Sequence, residues 1–201
     1  TLNYLENKPF EKFKGEPLLW CNHLAKKLKC NLINESRGQG SNDRIVRKVT
    51  DFVLNNNMKD VFIVIQFTWP ERLEYINSDG NYESFNWEKD IDAHKYYLND
   101  YSNHYFNKKS FHNVINLHHH LKSVGVKHLC FFGPGFMREV FNEKKYKSHI
   151  DNSNFILDIS FRELQTDYIA TDDLHPGKQS HIDMAELIYN RLKDEETFKE
   201  H

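Results

Sequence analysis

One apolar run, Val61-Phe62-Ile63-Val64-Ile65, constrains the fold of this chain more than any other stretch. All but one of its residues are β-branched, a composition that favours extended backbone. A strand with one face in water alternates apolar and polar residues, whereas a nearly continuous apolar run is typical of a parallel strand buried on both faces. We therefore predict that residues 61–65 form the central strand of a parallel sheet.

The rest of the chain alternates between short apolar segments and segments with apolar residues at helical spacing. Such an alternation predicts an α/β fold, namely a three-layer α/β/α sandwich with a parallel sheet. A chain of 201 residues is long enough for one sizeable core, so we expect a single domain over residues 1–201. Strands are predicted at residues 31–34, 126–132 and 155–157, and helices at residues 18–28, 45–53, 114–124 and 178–193, with an aromatic-rich helix around Tyr97, Tyr101 and Tyr105.

Composition excludes several classes of protein. The formal net charge of −2 gives no excess of positive charge for a nucleic-acid partner. No apolar run approaches the roughly 18 residues that a membrane-spanning helix needs, so no membrane association is expected. The three cysteines, Cys21, Cys30 and Cys130, cannot all pair and form no C-x-x-C motif. This usage favours a reducing, cytoplasmic location over a disulfide framework.

The clearest chemical motif is Asp172-x-x-His175-Pro176, which stands directly before the predicted last helix. Proline suits the first position of a helix, so Asp172 and His175 would lie on a turn that an amphipathic helix anchors. On such a turn the imidazole can face a cleft while the carboxylate holds its other nitrogen, which is the acid–base half of a hydrolytic triad. The alternative is that Asp172 caps the helix and His175 is an ordinary loop histidine.

Two further segments are predicted to reach the same edge of the sheet as this turn. Ligands of open α/β sheets bind at the carboxyl ends of the strands, where the glycine-rich turn before the second helix and the loop 66–72 both fall. Gly38 and Gly40 would let backbone amides approach a ligand closely. Asn42 and Thr68 can add side-chain donors to a developing oxyanion.

Trp69, Arg72 and Tyr75 follow the predicted central strand. The excursions that leave the carboxyl ends of parallel strands usually shape the binding site. These three residues are therefore candidates for binding a sugar or a carboxylate group over the presumed cleft.

Two patterns that suggest a bound cofactor are incomplete. His118-His119-His120 resembles a metal cluster, but consecutive helical residues point about 100° apart and cannot share one face. We predict a surface helix there and no metal. Gly38-x-Gly40 lacks the third glycine of a dinucleotide-binding turn and the Gly-Lys-Ser/Thr of a P-loop, so nucleotide binding is not predicted.

The motifs together resemble those of a known family. The closing block, Asp172-x-x-His175-Pro176 with Ser180-His181 behind it, is similar to the last block of the SGNH/GDSL hydrolases. A second block, formed here by Asn34, Gly38, Ser41, Asn42 and Ile45, also occurs in small SGNH-like proteins of phages and large DNA viruses. The chain resembles these viral proteins more closely still, and the similarity covers most of its length in order.

The resemblance implies a flavodoxin-like three-layer fold and ester hydrolysis by a Ser-His-Asp triad without a cofactor. In this family the serine amide, a glycine amide and an asparagine side chain hold the oxyanion. His175 would then be the base, Asp172 the residue that orients it, and Gly38 or its neighbour the amide donor.

The chain departs from the family pattern in two places. The family's Gly-x-Asn-Asp block is replaced by Gln66-Phe67-Thr68-Trp69, so Thr68, Gln66 or Asn42 would have to supply the missing donor. The Gly-Asp-Ser block that carries the nucleophile does not occur. Family spacing places it just before Thr1, so we expect the serine on an upstream segment. Ser41 is the alternative nucleophile, although its surroundings lack the G-x-S-x-G elbow.

Two functions follow as expectations. The first is an ester hydrolase, such as a carbohydrate O-deacetylase, that acts on a small ester or an acylated glycan. The second is a catalytically inactive module with the same fold, which binds glycans or forms a structural part of a viral or other assembly. The Asp172/His175 pair favours the first, and the altered loop at residues 66–69 favours the second. A viral protein would act in the host cytoplasm or within the virion.

Overall fold

A computed structural model of the chain describes residues 19–36, 40–84, 103–141, 144–164 and 176–194. Tyr97 and Tyr101 of the predicted aromatic-rich helix lie outside these ranges, whereas Tyr105 lies in the helix that begins at Asn103. The strands are β1 (Phe62–Phe67), β2 (Glu74–Ile76), β3 (Tyr82–Ser84), β4 (Lys127–Phe132) and β5 (Phe155–Ile156). The α-helices are α1 (Trp20–Leu28), α2 (Asn42–Asn55), α3 (Asn103–Ser123), α4 (Gly135–Phe141), α5 (Lys144–Lys147) and α6 (Lys178–Asp194).

The main sheet is parallel, and its described strands lie in the order β1-β4-β5. The register aligns Phe62 with Lys127 and Phe67 with Phe132, so β1 and β4 end at the same level. The prediction that residues 61–65 belong to a parallel strand is confirmed. In the described sheet, however, β4 and not β1 is the central strand. The reason is visible in burial, because Leu129 to Phe132 are each at most 1% exposed whereas most of β1 is only partly buried.

Alternation along the strands divides the core between the two faces of the sheet. On one face, Ile65, Phe67 and Phe132 pack with apolar residues of α2 and α3. On the other face, Leu129 and Phe131 pack with α1 and α6, which also lie against each other. Helices therefore cover both faces of a parallel sheet, and the predicted three-layer α/β/α sandwich is confirmed.

The predicted strand at residues 31–34 is not present. Residues 30–36 belong to no helix or strand and pair with no described strand, and the side chains of Leu32 and Ile33 are exposed. An apolar tetrapeptide becomes a strand only when a neighbouring strand accepts its backbone hydrogen bonds. Those partners are not supplied by the described residues.

The excursion after β1 contains a β-hairpin that the periodicity did not predict. Strands β2 and β3 pair antiparallel, with Glu74 opposite Ser84 and Ile76 opposite Tyr82. The side-chain Oδ1 of Asn77 accepts hydrogen bonds from the amides of Asp79 and Asn81, which closes the connecting turn. Both strands are short and largely exposed, so they carry little of the alternating pattern by which strands are recognised in sequence.

None of the helices in the described segments is both long enough and apolar enough to cross a lipid bilayer.

Candidate functional site

The carboxyl ends of β1 and β4 lie side by side and define one edge of the sheet. The amide of Gly133, the first residue after β4, donates a 2.8 Å hydrogen bond to the carbonyl of Phe67, the last residue of β1. A β-carbon at position 133 would lie 3.1 Å from Gln66 Nε2 and 3.2 Å from that carbonyl. Glycine is therefore needed for this close approach, and the loops after both strands start from the same point.

The turn that precedes α2 is tied to the loop after β1 by one side chain. Asn42 Oδ1 accepts a 2.9 Å hydrogen bond from the amide of Thr68, and Asn42 Nδ2 donates to the carbonyl of Thr68 at 3.1 Å. The second Nδ2 hydrogen reaches Ser110 Oγ on α3, also at 3.1 Å. Both amide hydrogens of Asn42 are thus used inside the protein, and the residue is only 2% exposed.

Ser41 is the N-cap of α2. Its Oγ accepts a 3.0 Å hydrogen bond from the amide of Arg44, and the residue has no exposed surface. A hydroxyl that is fully buried under a helix end cannot be reached by a substrate. Ser41 as the alternative nucleophile is therefore wrong. Gly40, the preceding residue, is half-buried at the same edge.

The loop after β1 forms a tight turn over residues 69–72. Proline at the second position favours such a turn, and the amide of Arg72 donates to the carbonyl of Trp69 at 3.2 Å. Arg72 Nη1 donates a 2.8 Å hydrogen bond to Thr68 Oγ1. Burial lowers the pKa of the Arg72 guanidinium, and the negative charge of Glu71 partly opposes that effect. The loop thus presents a half-buried cation beside a hydroxyl group.

Trp69 connects this turn to the loops after β4 and β5. Its ring packs against Phe136 of α4, with 5.2 Å between ring centroids and an interplanar angle of 36°. The guanidinium of Arg162 lies 5.7 Å from the Trp69 ring centroid. Sequence reasoning missed Arg162, because a single arginine after a short strand carries no pattern. The structure brings it to a tryptophan more than 90 positions earlier in the chain.

A second group of contacts lies at the same edge on the α1/α6 face. Trp20 Nε1 donates to Gln66 Oε1 at 3.0 Å, and the backbone amide of Trp20 donates to His181 Nδ1 at 3.1 Å. The His181 ring also packs edge-on against Phe161, with centroids 5.1 Å apart. Gln66 is the next-to-last residue of β1, and Phe161 follows β5. The first turn of α6 therefore lies at the carboxyl edge of the sheet.

Three predicted site residues, Gly38, Asp172 and His175, lie outside the described residues. Of the others, Asn42, Thr68, Trp69 and Arg72 are brought together by the contacts above.

Tyr75 lies one step further along the excursion, on β2. It is 40% exposed, and its hydroxyl donates to Glu83 of β3 at 2.9 Å. The hairpin that carries it is anchored to α2 by the ion pair of Arg47 with Glu74. Tyr75 is thus part of the hairpin surface.

The sequence predicts a surface helix at His118-His119-His120, but this histidine triplet is only partly on the surface. His118 is 1% exposed, and its Nδ1 lies 2.9 Å from Nε2 of His128 on β4. His119 is exposed, in keeping with its position on the next face of the helix. The described residues contain no cluster of three or more His, Cys, Asp or Glu side chains that could hold a metal ion.

Two open grooves lie away from this edge. One, of about 520 Å³, lies between β5 and α6 and is lined in part by Asp158, Asp183 and Glu186. The other, of about 530 Å³, is lined in part by His119 and His149. Neither contains any of the predicted site residues, so size alone does not identify the site here. The chemistry-bearing loops lie at the carboxyl edge, where α/β sheets bind ligands.

Comparison of the chain with protein-family models, curated proteins and solved structures finds no match.

Proposed function

We propose that this protein is an SGNH/GDSL-type ester hydrolase in which His175 is the general base and Asp172 orients it. The single observation that carries the proposal is the position of α6, whose first turn contacts Trp20 and Phe161 at the carboxyl edge of the sheet. His175 precedes that helix by three residues. His175 would therefore lie at the edge of the sheet where the loops after β1, β4 and β5 also meet.

The chemistry would be that of acyl transfer to a serine. His175 removes the hydroxyl proton as the oxygen attacks the ester carbonyl, and then returns it to the leaving alcohol. Water, activated by the same imidazole, hydrolyses the acyl-enzyme to a carboxylic acid and free serine. Asp172 would hold the imidazole in the correct tautomer. The substrate would be a small ester or an acylated glycan.

The proposal assigns the nucleophile to a serine on a segment that precedes Thr1. Support comes from three of the described serines at this edge, whose hydroxyl groups already accept internal hydrogen bonds. Ser41 caps α2, Ser110 accepts from Asn42, and Ser160 accepts from the amide of Glu163 at 3.3 Å. All three are buried, at 3% exposure or less.

Thr68 is the substitute that we favour among the three proposed for the family's oxyanion-binding asparagine. Asn42 has given both amide hydrogens to internal acceptors. Trp20 Nε1 donates to Gln66 Oε1, which fixes the Gln66 amide and leaves its Nε2 as a second donor beside Thr68. The Thr68 hydroxyl accepts a hydrogen bond from the Arg72 guanidinium. Acceptance from a cation polarises a hydroxyl and strengthens it as a donor. Its own hydrogen could therefore be directed at a developing oxyanion.

The test is turnover of p-nitrophenyl acetate by the full-length protein, together with labelling by a fluorophosphonate and mapping of the labelled serine. We expect His175→Ala to abolish both turnover and labelling, and Thr68→Val to lower kcat by roughly 10²-fold without preventing labelling. His149→Ala, at an exposed histidine remote from this edge, is the matched control and should leave both unchanged. If full-length protein is not labelled, the hydrolase proposal fails.

The second candidate is an inactive module with the same fold that binds glycans or has a structural role. One observation favours it, namely that both amide hydrogens of Asn42 are committed to internal acceptors. This module would bind an acylated glycan without turnover and would not react with the fluorophosphonate.

A further inference from the structure

Arginines in the described segments differ in how their charge is neutralised. Arg47 forms a two-point ion pair with Glu74, and Arg138 pairs with Glu163 at 2.7 Å. No carboxylate oxygen of the described residues lies within 4 Å of the guanidinium groups of Arg72 or Arg162. These two cations are the ones that border Trp69.

Arg72 is the more informative of the two because it is half-buried. Its guanidinium makes one hydrogen bond within the described residues, to the neutral hydroxyl of Thr68. Removing a guanidinium from water is costly unless an anion and hydrogen-bond acceptors replace the water. The lowered pKa of Arg72 reflects this cost. The negative charge of Glu71 partly offsets the lowering, although Glu71 does not come within ion-pair distance of Arg72. Most of the five N–H donors of Arg72 remain for a ligand.

Arg162 is held in place through its backbone. Its amide donates to the carbonyl of Gly133 at 3.0 Å, and the amide of Phe161 donates to the carbonyl of Phe132 at the same distance. The side chain then lies over Trp69 at 5.7 Å. A cation–π contact of this kind uses the charge of the guanidinium but not its N–H groups. Arg162 is exposed, and none of its guanidinium N–H groups is bonded to another described residue, so they can face a ligand.

We propose that Arg72, which ends the Trp69 turn, and Arg162, which lies over the Trp69 ring, form a binding site for an oxyanion group carried by the ligand. Guanidinium groups bind carboxylate and phosphate oxygens in a planar, two-point manner, which a lysine cannot reproduce. The ligand class is therefore an acidic sugar or a similar small anion. The inference rests on the proposed function only in identifying this anion as part of the ester substrate.

The neighbouring charges fit an anion better than a cation. Glu71 is the acidic residue that acts on Arg72, and Glu163 beside Arg162 is already paired with Arg138. A hydrogen bond with the Ser160 side chain lowers the pKa of the Glu163 carboxyl most, a hydrogen bond with the Ser160 backbone and the charge of Arg138 lower it further, and burial opposes them. Among the described residues, no acidic side chain is thus left to form an ion pair with either arginine at the Trp69 turn.

The test is a calorimetric titration of the full chain carrying His175→Ala, so that no turnover occurs. The probes are glucuronate, glucose 6-phosphate and glucose at low ionic strength. We expect one or both anionic sugars to bind and glucose to bind at least about tenfold more weakly. The two anions distinguish a carboxylate site from a phosphate site.

Variants of each arginine then locate the site. Arg72→Gln and Arg162→Gln should each weaken binding of the preferred anion about tenfold or more, and Arg72→Lys should not restore it fully. Arg191→Gln is the matched control, since Arg191 lies on α6 and donates to the carbonyl of Asn152. It should leave binding unchanged. Melting temperatures of all variants show whether they are folded.

The two proposals can fail separately. Equal affinity for glucose and both anions, or unchanged binding in folded Arg72→Gln and Arg162→Gln, overturns the anion site even if the protein is an esterase. Anion binding with no fluorophosphonate labelling overturns the hydrolase and leaves the anion site standing. Binding that is weakened equally by Arg191→Gln shows that the net charge is responsible, and the site is then wrong.

Discussion

The side chain of Asn42 and the backbone of Thr68 are joined by two hydrogen bonds of opposite direction. Asn42 Oδ1 accepts from the Thr68 amide at 2.9 Å, and Asn42 Nδ2 donates to the Thr68 carbonyl at 3.1 Å. The first residue of α2 thereby acts as a template for the backbone directly after β1. The position of the Trp69 turn depends on this pairing.

Asn42→Ala is expected to destabilise the protein by about 2–4 kcal/mol, because it leaves both backbone groups of Thr68 without partners in a part-buried site. In a domain of this size the melting temperature should fall by roughly 4–16 °C. Asn55→Ala is the control, since that residue ends α2 and bonds only to the exposed turn at Asp51. A loss of activity in Asn42→Ala with unchanged stability would instead assign Asn42 to catalysis.

Acid is expected to destabilise the protein through the buried pair His118 and His128. The Asp151 amide donates to His118 Nε2, and His128 Nδ1 lies 2.9 Å from the carbonyl of Val126. His118 Nδ1 lies 2.9 Å from His128 Nε2, so the two rings form a chain between the Asp151 amide and the Val126 carbonyl. Both imidazoles are therefore neutral, and these hydrogen-bond partners assign the proton of each ring to Nδ1. A second proton on either ring would break this chain.

The direction of the pH effect follows from the two pKa values. Burial, with smaller contributions from His128, His119 and Lys122, lowers the pKa of His118 to about 4, and Asp151 opposes the shift. Burial also lowers the pKa of His128. As the pH falls below 6.5, the ordinary histidine value, the unfolded state takes up protons before the folded state does. The free energy of unfolding therefore has its full value, as far as His118 is concerned, at neutral pH. It falls by about 2 kcal/mol between pH 7 and pH 5.

Urea unfolding at pH 7 and pH 5 measures this loss. The double variant His118→Leu/His128→Leu should show a smaller difference between the two pH values than the wild type does. His149→Gln, at an exposed histidine of the same region, should keep the wild-type difference. Equal wild-type stability at both pH values would contradict the assignment of neutral, buried imidazoles.

Loss of the Arg47–Glu74 ion pair is expected to detach the β2–β3 hairpin from α2. The Glu74 side chain is only 5% exposed, and the Arg47 guanidinium also lies 3.8 Å from the Tyr82 ring centroid. Arg47→Met would leave a buried carboxylate uncompensated, at a cost of about 3 kcal/mol. Amide hydrogen exchange over residues 74–84 should become faster.

Lys48→Met is the matched control for that variant. Lys48 is the next residue of α2 and pairs with the exposed Glu35 at 3.2 Å. An exposed pair of this kind contributes at most about 1 kcal/mol, and hairpin exchange should be unaffected. Similar exchange in the two variants would show that Arg47 does not anchor the hairpin.

Only one of the three thiols is expected to react quickly in the native protein. All three cysteines are free, and Cys30 is exposed whereas Cys21 and Cys130 are buried. Burial raises the pKa of the Cys21 thiol to about 11 and also raises that of Cys130, so both lack the reactive thiolate at neutral pH. Mass spectrometry after brief alkylation should find one label, which Cys30→Ser removes, and three labels after denaturation. Two or more native labels would contradict the burial of these side chains.

Local patterns in the sequence determined the main elements of this fold. The apolar run at residues 61–65 specifies a strand because β-branched side chains need the spacing of an extended backbone, and the spacing of Val114, Leu117 and Leu121 specifies a buried helical face. These features depend on neighbouring residues, so they can be read without knowledge of the rest of the molecule.

Tertiary structure alone decided which polar groups are already occupied and which distant residues meet. Asn42 and Ser41 look like available donors and nucleophiles in the sequence, but both are used to close the α2 turn. Arg162 and Trp69 come together only because the loops after β1 and β5 leave the sheet at one edge. Hydrogen-bond saturation and contacts of this kind depend on strand register and helix packing, which no local periodicity encodes.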